Sequence, residues 1–218
     1  MNTTPDFAVI FDMDGVLVDS REIIHRSFEH VLKSYGIDVM PVLNRGRALR
    51  DVIAEWNTAW GTAIDSEVFS RQAAELELVE LRQRPQNTHL IGLLTALQEE
   101  GVPLAVGTAS TTNRTWEILD VLDIRSRFGA VVTASDVEAH KPDPAVFLEA
   151  ARRLEVAPEH CIVIEDSPLG IEAAHRGGMK TVGFTAYHPE PQSLRQADFL
   201  IRDFNELSYE RLKSLVRH

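Results

Sequence analysis

Hydrophobic positions in the second part of the chain fall into short apolar runs that alternate with stripes of helical spacing. Each run is bounded by polar or turn residues and predicts a buried strand, while each stripe predicts an amphipathic helix. Strands and helices in alternation are typical of a parallel sheet that helices cover on both faces. We therefore predict an α/β fold with a doubly wound parallel sheet. The predicted strands lie near residues 7–11, 103–108, 130–134, 161–164, 181–184 and 199–201.

The stretch between the first strand and about residue 86 shows helical periodicity instead. Its apolar stripes predict three helices, and Asp19 with Glu22 predicts a capping box at the start of the first. We expect Trp56 and Trp60 to belong to the core of this segment rather than to a substrate platform. The first stripe comprises Ile24, Phe28, Val31, Leu32 and Tyr35, and the other two helices span about 49–60 and 65–84. The predicted domains are a sheet domain of residues 1–18 and 86–218 and a helical insert of residues 19–85.

Composition and charge exclude several classes of partner. The chain has 22 basic and 33 acidic side chains, a formal net charge of -11, and no run of Lys and Arg that would suit a phosphate backbone. No apolar segment is long enough to span a bilayer, and the N-terminus lacks the basic start of a secretory signal. The single cysteine, Cys161, cannot form an internal disulfide, which favours a reducing compartment. We therefore expect a cytoplasmic protein that binds neither nucleic acid nor membrane.

Two acids follow directly after the first predicted strand. Asp12 and Asp14 are two residues apart, so in an extended chain their side chains point to the same side. Two carboxylates held close together repel each other unless a cation or a shared proton relieves them. Oxygen ligands of this kind select a hard cation such as Mg²⁺. The alternative is an ordinary solvated turn with Gly15 at its bend.

The next strand end carries hydroxyl groups. Thr108, Ala109 and Ser110 follow the apolar run that ends at Gly107, and they lead into a predicted helix. Backbone N–H groups at a helix N-terminus, with a hydroxyl beside them, bind an anionic oxygen well. Ser and Thr are also ordinary helix caps, so this segment alone does not distinguish the two roles.

The third polar segment contains a lysine. Lys141 precedes Pro142, which favours an extended backbone, and Asp143 with Pro144 predicts an N-cap followed by the first helical residue. An ammonium group at a fixed position beside carboxylates lowers their repulsion and can hold a phosphoryl oxygen. The alternative is a solvated surface lysine.

Another pair of acids ends the strand that starts at Cys161. Glu165 and Asp166 precede Ser167, which we predict to cap a helix opened by Pro168. Acids near a helix N-terminus also interact favourably with the helix dipole, which is the alternative explanation. Because ligand sites of open parallel sheets lie beyond the carboxyl ends of the strands, we expect all four segments to form one magnesium-binding site.

The four segments together resemble the motifs of the haloacid dehalogenase-like hydrolases, in the branch with a helical cap inserted after the first motif. Residues 12–20 (DMDGVLVDS) resemble the first motif and residues 107–110 (GTAS) the second. Residues 141–144 (KPDP) resemble the third and residues 164–170 (IEDSPLG) the fourth. The resemblance covers nearly the whole chain and implies a Rossmann-like core domain with a helical cap domain.

The resemblance also implies roles for individual residues. Asp12 is expected to be the nucleophile that becomes an aspartyl phosphate, and Asp14 the general acid and base. Thr108 and Lys141 are expected to hold the phosphoryl group, beside Ala109 and Ser110 of the same binding segment. For the metal, the resemblance implies that Mg²⁺ is bound by the side chains of Asp12 and Asp166 and by the backbone carbonyl of Asp14, with Glu165 beside them. The helical cap is expected to act as a lid that contributes substrate selectivity.

Asp14 and several residues of the helical cap distinguish the branches of this family. Asp14 favours phosphate esters, since the dehalogenase and phosphonatase members lack an acid at the matching position. The chain is similar to the β-phosphoglucomutase branch and to phosphoglycolate phosphatase-like proteins. It has Ile24 where the mutase branch carries a histidine and Leu49 where the mutase arginine aligns. Arg47 and Arg50 are candidates for binding a second anionic group of the substrate, or else exposed cap residues.

We therefore expect a magnesium-dependent phosphatase that hydrolyses a small phosphorylated metabolite, such as a sugar phosphate, as a monomer or small homo-oligomer. One alternative is a phosphomutase of the β-phosphoglucomutase type. An alternative of another class is a phospho-acceptor signalling module, in which an aspartate on a doubly wound sheet is phosphorylated as a switch. The helical insert and the acid at Asp14 have no purpose in such a module.

Overall fold

The structure is a computed structural model that describes residues 6–39, 49–84, 86–187 and 191–216. The chain divides into two compact units. One consists of Met1–Asp19 with Pro85–His218, and the other is Ser20–Arg84. The predicted helical insert, residues 19–85, differs from the second unit by one residue at each end.

The first unit is built on a six-stranded parallel sheet, which confirms the predicted doubly wound α/β fold. The strand order is β3-β2-β1-β4-β5-β6, so the chain starts in the middle and winds outward on both sides of β1. Ligands bind beyond the carboxyl ends of the strands at such a reversal of winding. The strands are β1 Ala8–Phe11, β2 Leu104–Gly107, β3 Ala130–Val132, β4 Cys161–Glu165, β5 Lys180–Phe184 and β6 Phe199–Ile201.

Eight α-helices occupy the described part of the chain. The second unit contains α1 Arg21–Ser34, α2 Leu49–Trp60 and α3 Ser66–Gln83. The first contains α4 Thr88–Glu99, α5 Thr112–Val121, α6 Ala145–Leu154, α7 Pro168–Arg176 and α8 Tyr209–Val216. Within the described ranges, none of these helices combines the length and the apolar character that crossing a membrane requires.

The central strands are buried on both faces, as their continuous apolar sequence predicts. Ile10 of β1 and Val163 of β4 are register partners and both are fully buried. Phe147 of α6 packs into the same apolar cluster. Because these side chains hold β1, β4 and α6 together, the residues that end each strand have a rigid support.

The helical unit has its own apolar core. Trp56 of α2 is buried, its ring stacks on that of Trp60 with centroids 5.6 Å apart, and it meets the ring of Phe69 of α3 edge-on at 5.9 Å. This packing confirms the prediction that the two tryptophans belong to the core of the segment. Asp65 caps α3 by accepting hydrogen bonds from two backbone N–H groups.

For the first helix, one prediction is wrong and another is right only in part. The N-cap of α1 is Ser20, whose side chain makes no capping bond, so the helix begins one residue later than the capping box of Asp19 and Glu22 predicts. The predicted stripe is right for Phe28, Val31 and Leu32, which belong to the core of this unit or pack against it. It is wrong at its ends, since the structure buries Ile23 and Ser27 rather than Ile24 and leaves Tyr35 exposed. Successive helical side chains differ by about 100° in direction, so a one-residue error turns the inferred face. An inward-facing serine cannot be recognised from hydrophobicity.

A partly buried ion pair beside β3 predicts a pH-dependent stability. The carboxylate of Asp136 accepts hydrogen bonds from Arg153 at 2.7 Å and from the backbone N–H and hydroxyl of Thr133. Burial alone would raise the pKa of Asp136, but these three donors outweigh it and lower the pKa from 3.8 to about 2. A carboxylate whose pKa is lowered by folding stabilises the protein above its unfolded value, and this contribution disappears as the pH falls through the folded value.

We therefore expect Asp136→Asn to lower the free energy of unfolding at pH 7 by about 1 to 2 kcal/mol, allowing for partial solvent screening. The difference between the two proteins should shrink as the pH falls from 3.8 to about 2. Urea unfolding of both proteins between pH 7 and pH 2 measures it. A difference that stays constant over this range would contradict the ion-pair explanation.

Candidate active site

The carboxyl ends of β1 and β4 bring three acids together. Asp12 follows β1 directly, and its backbone N–H donates to the carbonyl of Ile164 at 2.9 Å, which continues the pairing of the two strands. Glu165 ends β4 and Asp166 follows it. Carboxylate oxygens of Asp12, Glu165 and Asp166 lie within 4.8 Å of one another, and all three side chains are buried. The sheet therefore concentrates negative charge at one point.

Lys141 lies at the same point. Its Nζ donates to Asp12 Oδ1 at 2.6 Å and to Glu165 Oε1 at 2.8 Å, and the side chain is only 10% exposed. The ammonium group also lies 4.6 Å from the centre of the Phe147 ring, a cation–π distance. The predicted cap of the following helix is wrong by one residue, since Pro144 is the N-cap of α6 and Ala145 its first residue. Asp143 still accepts the N–H of Ala145 at 3.0 Å, because an aspartate just ahead of a helix can reach its free N–H groups.

The electrostatics of this group follow from its burial. Burial raises the pKa of Asp12 well above its ordinary value, and the charges of Glu165 and Asp166 add to this, while Lys141 only partly opposes it. Burial alone would lower the pKa of Lys141, but the attraction of Asp12 and Glu165 outweighs it and raises the pKa. Lys141 is therefore a permanent cation beside three buried acids, and the raised pKa of Asp12 means that one lysine does not fully offset burial and mutual repulsion in this group.

Two glycines make room for the acids. A Cβ at Gly15 would lie 2.0 Å from Asp166 Oδ2, and a Cβ at Gly170 would lie 1.8 Å from Glu165 Oε1. Gly15 also has φ +86, which other residues adopt only with strain. Both glycines are therefore parts of the site, because any side chain there would push a carboxylate out of place.

Glu165 is directed towards Lys141 and the start of α7. Its Oε2 accepts the backbone N–H of Ser167 at 2.6 Å, in addition to the bond from Lys141 to Oε1. Ser167 caps α7 by accepting the N–H of Gly170 at 3.0 Å, and Pro168 is the first helical residue. The predicted cap and start of α7 are therefore confirmed.

The hydroxyl segment after β2 lies at the same edge of the sheet. Thr108 is buried, its backbone N–H donates to the carbonyl of Val132 at 3.0 Å, and its Oγ1 accepts the N–H of Ser110 at 3.1 Å. Ala109 lies between them and is exposed. Helix α5 begins at Thr112, and its N-cap, Thr111, makes no side-chain capping bond. The segment therefore combines a buried threonine with a more accessible alanine and serine at the start of a helix.

Asp14 faces the hydroxyl segment. Ser110 Oγ donates to Asp14 Oδ2 at 2.7 Å. Arg114 of α5 makes a two-pronged ion pair with Asp14, from Nη2 to Oδ1 at 2.6 Å and from Nη1 to Oδ2 at 2.7 Å. Arg114 was not among the residues selected from the sequence. The available signal was its place in the first turn of the helix that follows the hydroxyl segment.

Of the two arginines predicted to bind substrate, only Arg50 is among the described residues. Arg50 is on α2, where it is exposed and its Nε lies 3.4 Å from Asp51 Oδ1. Arg47 lies outside the described residues. Their roles stay predictions.

The three buried acids fit a divalent metal ion. All the donors are carboxylate oxygens that lie within 4.8 Å of one another, and Lys141 only partly opposes the burial and repulsion that raise the pKa of Asp12. Hard cations such as Mg²⁺ prefer this type of ligand. The absence of a side chain at Gly15 leaves the space that the Asp166 carboxylate occupies, because a Cβ there would lie 2.0 Å from Asp166 Oδ2. The cluster of Asp12, Glu165 and Asp166 is thus able to hold a metal ion.

Comparisons with known proteins identify relatives in sequence and a protein of the same fold. Fructose-1-phosphate phosphatase from Escherichia coli strain K12 is 34% identical over 180 residues, covering 80% of this chain and 94% of that protein. β-Phosphoglucomutase from Bacillus subtilis strain 168 is 30% identical over 217 residues, covering 94% and 93%. The structure of a family IA, variant 3 hydrolase from Entamoeba histolytica HM-1:IMSS shares the fold with a TM-score of 0.80 at 21% identity, covering 97% of this chain and 100% of that one.

A family model described as haloacid dehalogenase-like hydrolase matches residues 9–184, a range that includes the first five strands except Ala8, the first residue of β1. The match contains all four segments at the strand ends, from Asp12 to Asp166. The chain therefore belongs to the family of haloacid dehalogenase-like hydrolases.

Proposed function

We propose that this protein is a magnesium-dependent phosphatase that hydrolyses a small phosphorylated metabolite, such as a sugar phosphate, through an aspartyl-phosphate intermediate. The observation that carries the proposal is the position of Asp12. Its carboxylate lies 2.6 Å from the ammonium group of Lys141, inside a buried group of acids suited to a divalent metal ion. A structural ion pair would not need two further carboxylates at the same point, because their repulsion is costly.

Phosphoryl transfer needs an attacking carboxylate and a cationic environment. We assign Asp12 as the nucleophile, since it is held at the end of the central strand and faces the lysine. Lys141 would offset charge on the phosphoryl oxygens, and Thr108 would donate to one of them. The side chains of Asp12 and Asp166 and the backbone carbonyl of Asp14 would hold Mg²⁺, with Glu165 beside them. Magnesium supplies positive charge that offsets the anionic phosphate.

Asp14 is proposed as the general acid and base. In the first step the bond between phosphorus and the leaving oxygen breaks, phosphorus bonds to Asp12, and the proton of Asp14 passes to the leaving oxygen. In the second step Asp14 takes a proton from the attacking water, which releases phosphate and restores Asp12. The same positioned group serves both steps because its protonation state alternates.

The names of the relatives support a sugar phosphate as the substrate class. One is a fructose-1-phosphate phosphatase and another is a β-phosphoglucomutase, so both hydrolysis and phosphoryl transfer between positions occur among similar proteins. Hydrolysis is favoured because this chain has Ile24 and Leu49 at the positions where the mutase branch has a histidine and an arginine. We propose that selectivity resides in the helical unit, with Arg47 and Arg50 as its candidate residues for a second anionic group.

A phospho-acceptor signalling module is the alternative of another class. It would need only a phosphorylatable aspartate on the sheet. The helical unit of α1, α2 and α3, with its own apolar core, has no purpose in such a module.

The proposal includes a cytoplasmic location. Cys161 is free and buried, which agrees with a reducing compartment.

We expect the purified protein to release phosphate from 4-nitrophenyl phosphate and from fructose 1-phosphate when MgCl₂ is present, and to lose this activity on addition of EDTA. Excess MgCl₂ should restore the activity, because EDTA removes only the metal ion and leaves the buried acids in place. Malachite-green detection of phosphate measures both substrates. A protein that becomes phosphorylated without turnover would support the signalling module instead.

A separate incubation distinguishes hydrolase from mutase. With β-glucose 1-phosphate, in the presence and absence of glucose 1,6-bisphosphate, we expect free phosphate and no glucose 6-phosphate. Coupling to glucose-6-phosphate dehydrogenase detects the isomer. Formation of glucose 6-phosphate that depends on the bisphosphate would replace the hydrolase proposal by the mutase.

A further inference from the structure

We propose that Arg114 is a positioning residue that holds the Asp14 carboxylate in place for proton transfer to the leaving group. The proposal rests on the proposed function, in which Asp14 is the general acid and base. It assigns to a helix residue outside the four motif segments a part in the reaction.

The geometry of the pair is specific. Both carboxylate oxygens of Asp14 are bonded by the two terminal nitrogens of Arg114, at 2.6 Å and 2.7 Å. Arg114 Nη1 also donates to Ser110 Oγ at 2.5 Å, and that hydroxyl donates to Asp14 Oδ2 at 2.7 Å. A two-pronged contact with a planar guanidinium fixes the plane of a carboxylate, which a single hydrogen bond does not.

Asp14 and Arg114 differ in the backbone structure that carries them and in the exposure of their side chains. Asp14 lies in a tight turn after β1, in which Gly15 N–H donates to the carbonyl of Val18 at 2.8 Å, and its side chain is 30% exposed. Arg114 lies in the first turn of α5, and its side chain is only 19% exposed. A partly exposed acid on a turn has several rotamers available, whereas a largely buried guanidinium on a helix has few. The helix thus restricts the acid.

The contact also fits the charge that the reaction leaves on Asp14. When the proton of Asp14 passes to the leaving oxygen, a carboxylate remains, and Arg114 already faces both of its oxygens. Before that step, the oxygen of Asp14 that carries the proton bonds to the leaving group instead of to the guanidinium. Once the proton has left, both oxygens accept from Arg114, so the guanidinium stabilises the carboxylate that forms. The proton returns to Asp14 from the attacking water in the second step, so the guanidinium neither gains nor loses a proton.

The experiment compares phosphate esters that differ in their need for an acid. The 4-nitrophenolate ion leaves readily without a proton, whereas the leaving groups of phenyl phosphate and fructose 1-phosphate need one. The ratio kcat/KM reports the steps up to departure of the leaving group. For Arg114→Met we expect kcat/KM to fall about 30-fold with the two demanding esters and less than about threefold with 4-nitrophenyl phosphate.

Further variants separate positioning from a structural role. Arg114→Lys should recover part of the lost rate, because it keeps the charge but not the two-pronged contact. In the Asp14→Asn background, Arg114→Met should have no further effect on phenyl phosphate, because the two residues act through one interaction. Arg153→Met removes another partly exposed arginine, at 32%, that pairs with Asp136 at 2.7 Å, and should leave the ratio between esters unchanged.

An equal loss on all three esters, or no loss, would overturn the proposal. If Arg114→Met does not fold, Arg114→Lys alone tests the proposal. We then expect a smaller change in the same ratio of kcat/KM between esters. An unchanged ratio would overturn the proposal. Failure of the proposed function is distinguishable, because then the wild-type protein itself would release no phosphate from 4-nitrophenyl phosphate.

Discussion

Asp12→Asn is expected to lower kcat by at least about 10⁴-fold, since an amide cannot serve as the attacking nucleophile. The fold should survive, because asparagine has the same shape and one of three crowded, buried acids is removed. Lys141 keeps its bond to Glu165 at 2.8 Å, so it is not left without a partner. Phosphate release from 4-nitrophenyl phosphate measures kcat, and thermal unfolding checks the fold.

A second measurement tests the covalent role of Asp12 directly. Acid quenching of the wild-type protein during turnover, followed by digestion and mass spectrometry, should find a phosphorylated peptide that contains residue 12. The Asp12→Asn protein should yield none. Asp123→Asn is the matched control, because Asp123 is exposed and has φ 55, a conformation that asparagine tolerates well. A variant at position 12 that turns over at the wild-type rate would end the assignment.

Gly170→Ala should have the second largest effect, although residue 170 takes part in no step of the reaction. A Cβ there would lie 1.8 Å from Glu165 Oε1, so the carboxylate must move away. It would then lose its bonds to Lys141 and to the N–H of Ser167, at 2.8 Å and 2.6 Å. We expect kcat/KM to fall about 10²-fold, as displacements of about 1 Å in an active site do, and the free energy of unfolding to fall by about 2 to 3 kcal/mol.

The matched control for this variant is Gly92→Ala. Gly92 is an exposed residue inside α4, and a Cβ there would meet nothing within 4 Å. Alanine at such a position stabilises a helix by about 0.5 to 1 kcal/mol, so activity should be unchanged and the melting temperature slightly higher. Steady-state kinetics and thermal unfolding of both variants make the comparison. A Gly170→Ala protein that behaves like Gly92→Ala would show that Glu165 needs no fixed position.

Much of the sheet could be predicted because its strands are almost entirely apolar. The run predicted at 161–164 is β4 Cys161–Glu165, and the run predicted at 181–184 is β5 Lys180–Phe184. The ends differ by a residue because polar residues such as Glu165 continue the backbone pairing without adding to the apolar pattern. The amphipathic helix α1 was predicted less well, since its buried face includes Ser27, which carries no hydrophobic signal.

Parts of the site could be predicted for a related reason. Residues that directly follow buried strands of a parallel sheet lie at one edge, so chain order alone indicates that Asp12, Thr108 and Asp166 lie near each other. The direction of each side chain does not follow from that order. Glu165 was expected beside the metal, and its oxygens bond to Lys141 and to the N–H of Ser167.

The sequence by itself determined the α/β fold and the order of the polar segments at the strand ends, because alternating apolar runs record which backbone is buried. Only the tertiary structure decided that Arg114 pairs with Asp14, a residue 100 positions away, and that Gly170 makes room for Glu165. An isolated arginine or glycine on a helix has the same local sequence pattern whether it faces solvent or a carboxylate. What it contacts depends on how the helices pack against the sheet, and that packing is a sum of many distant interactions.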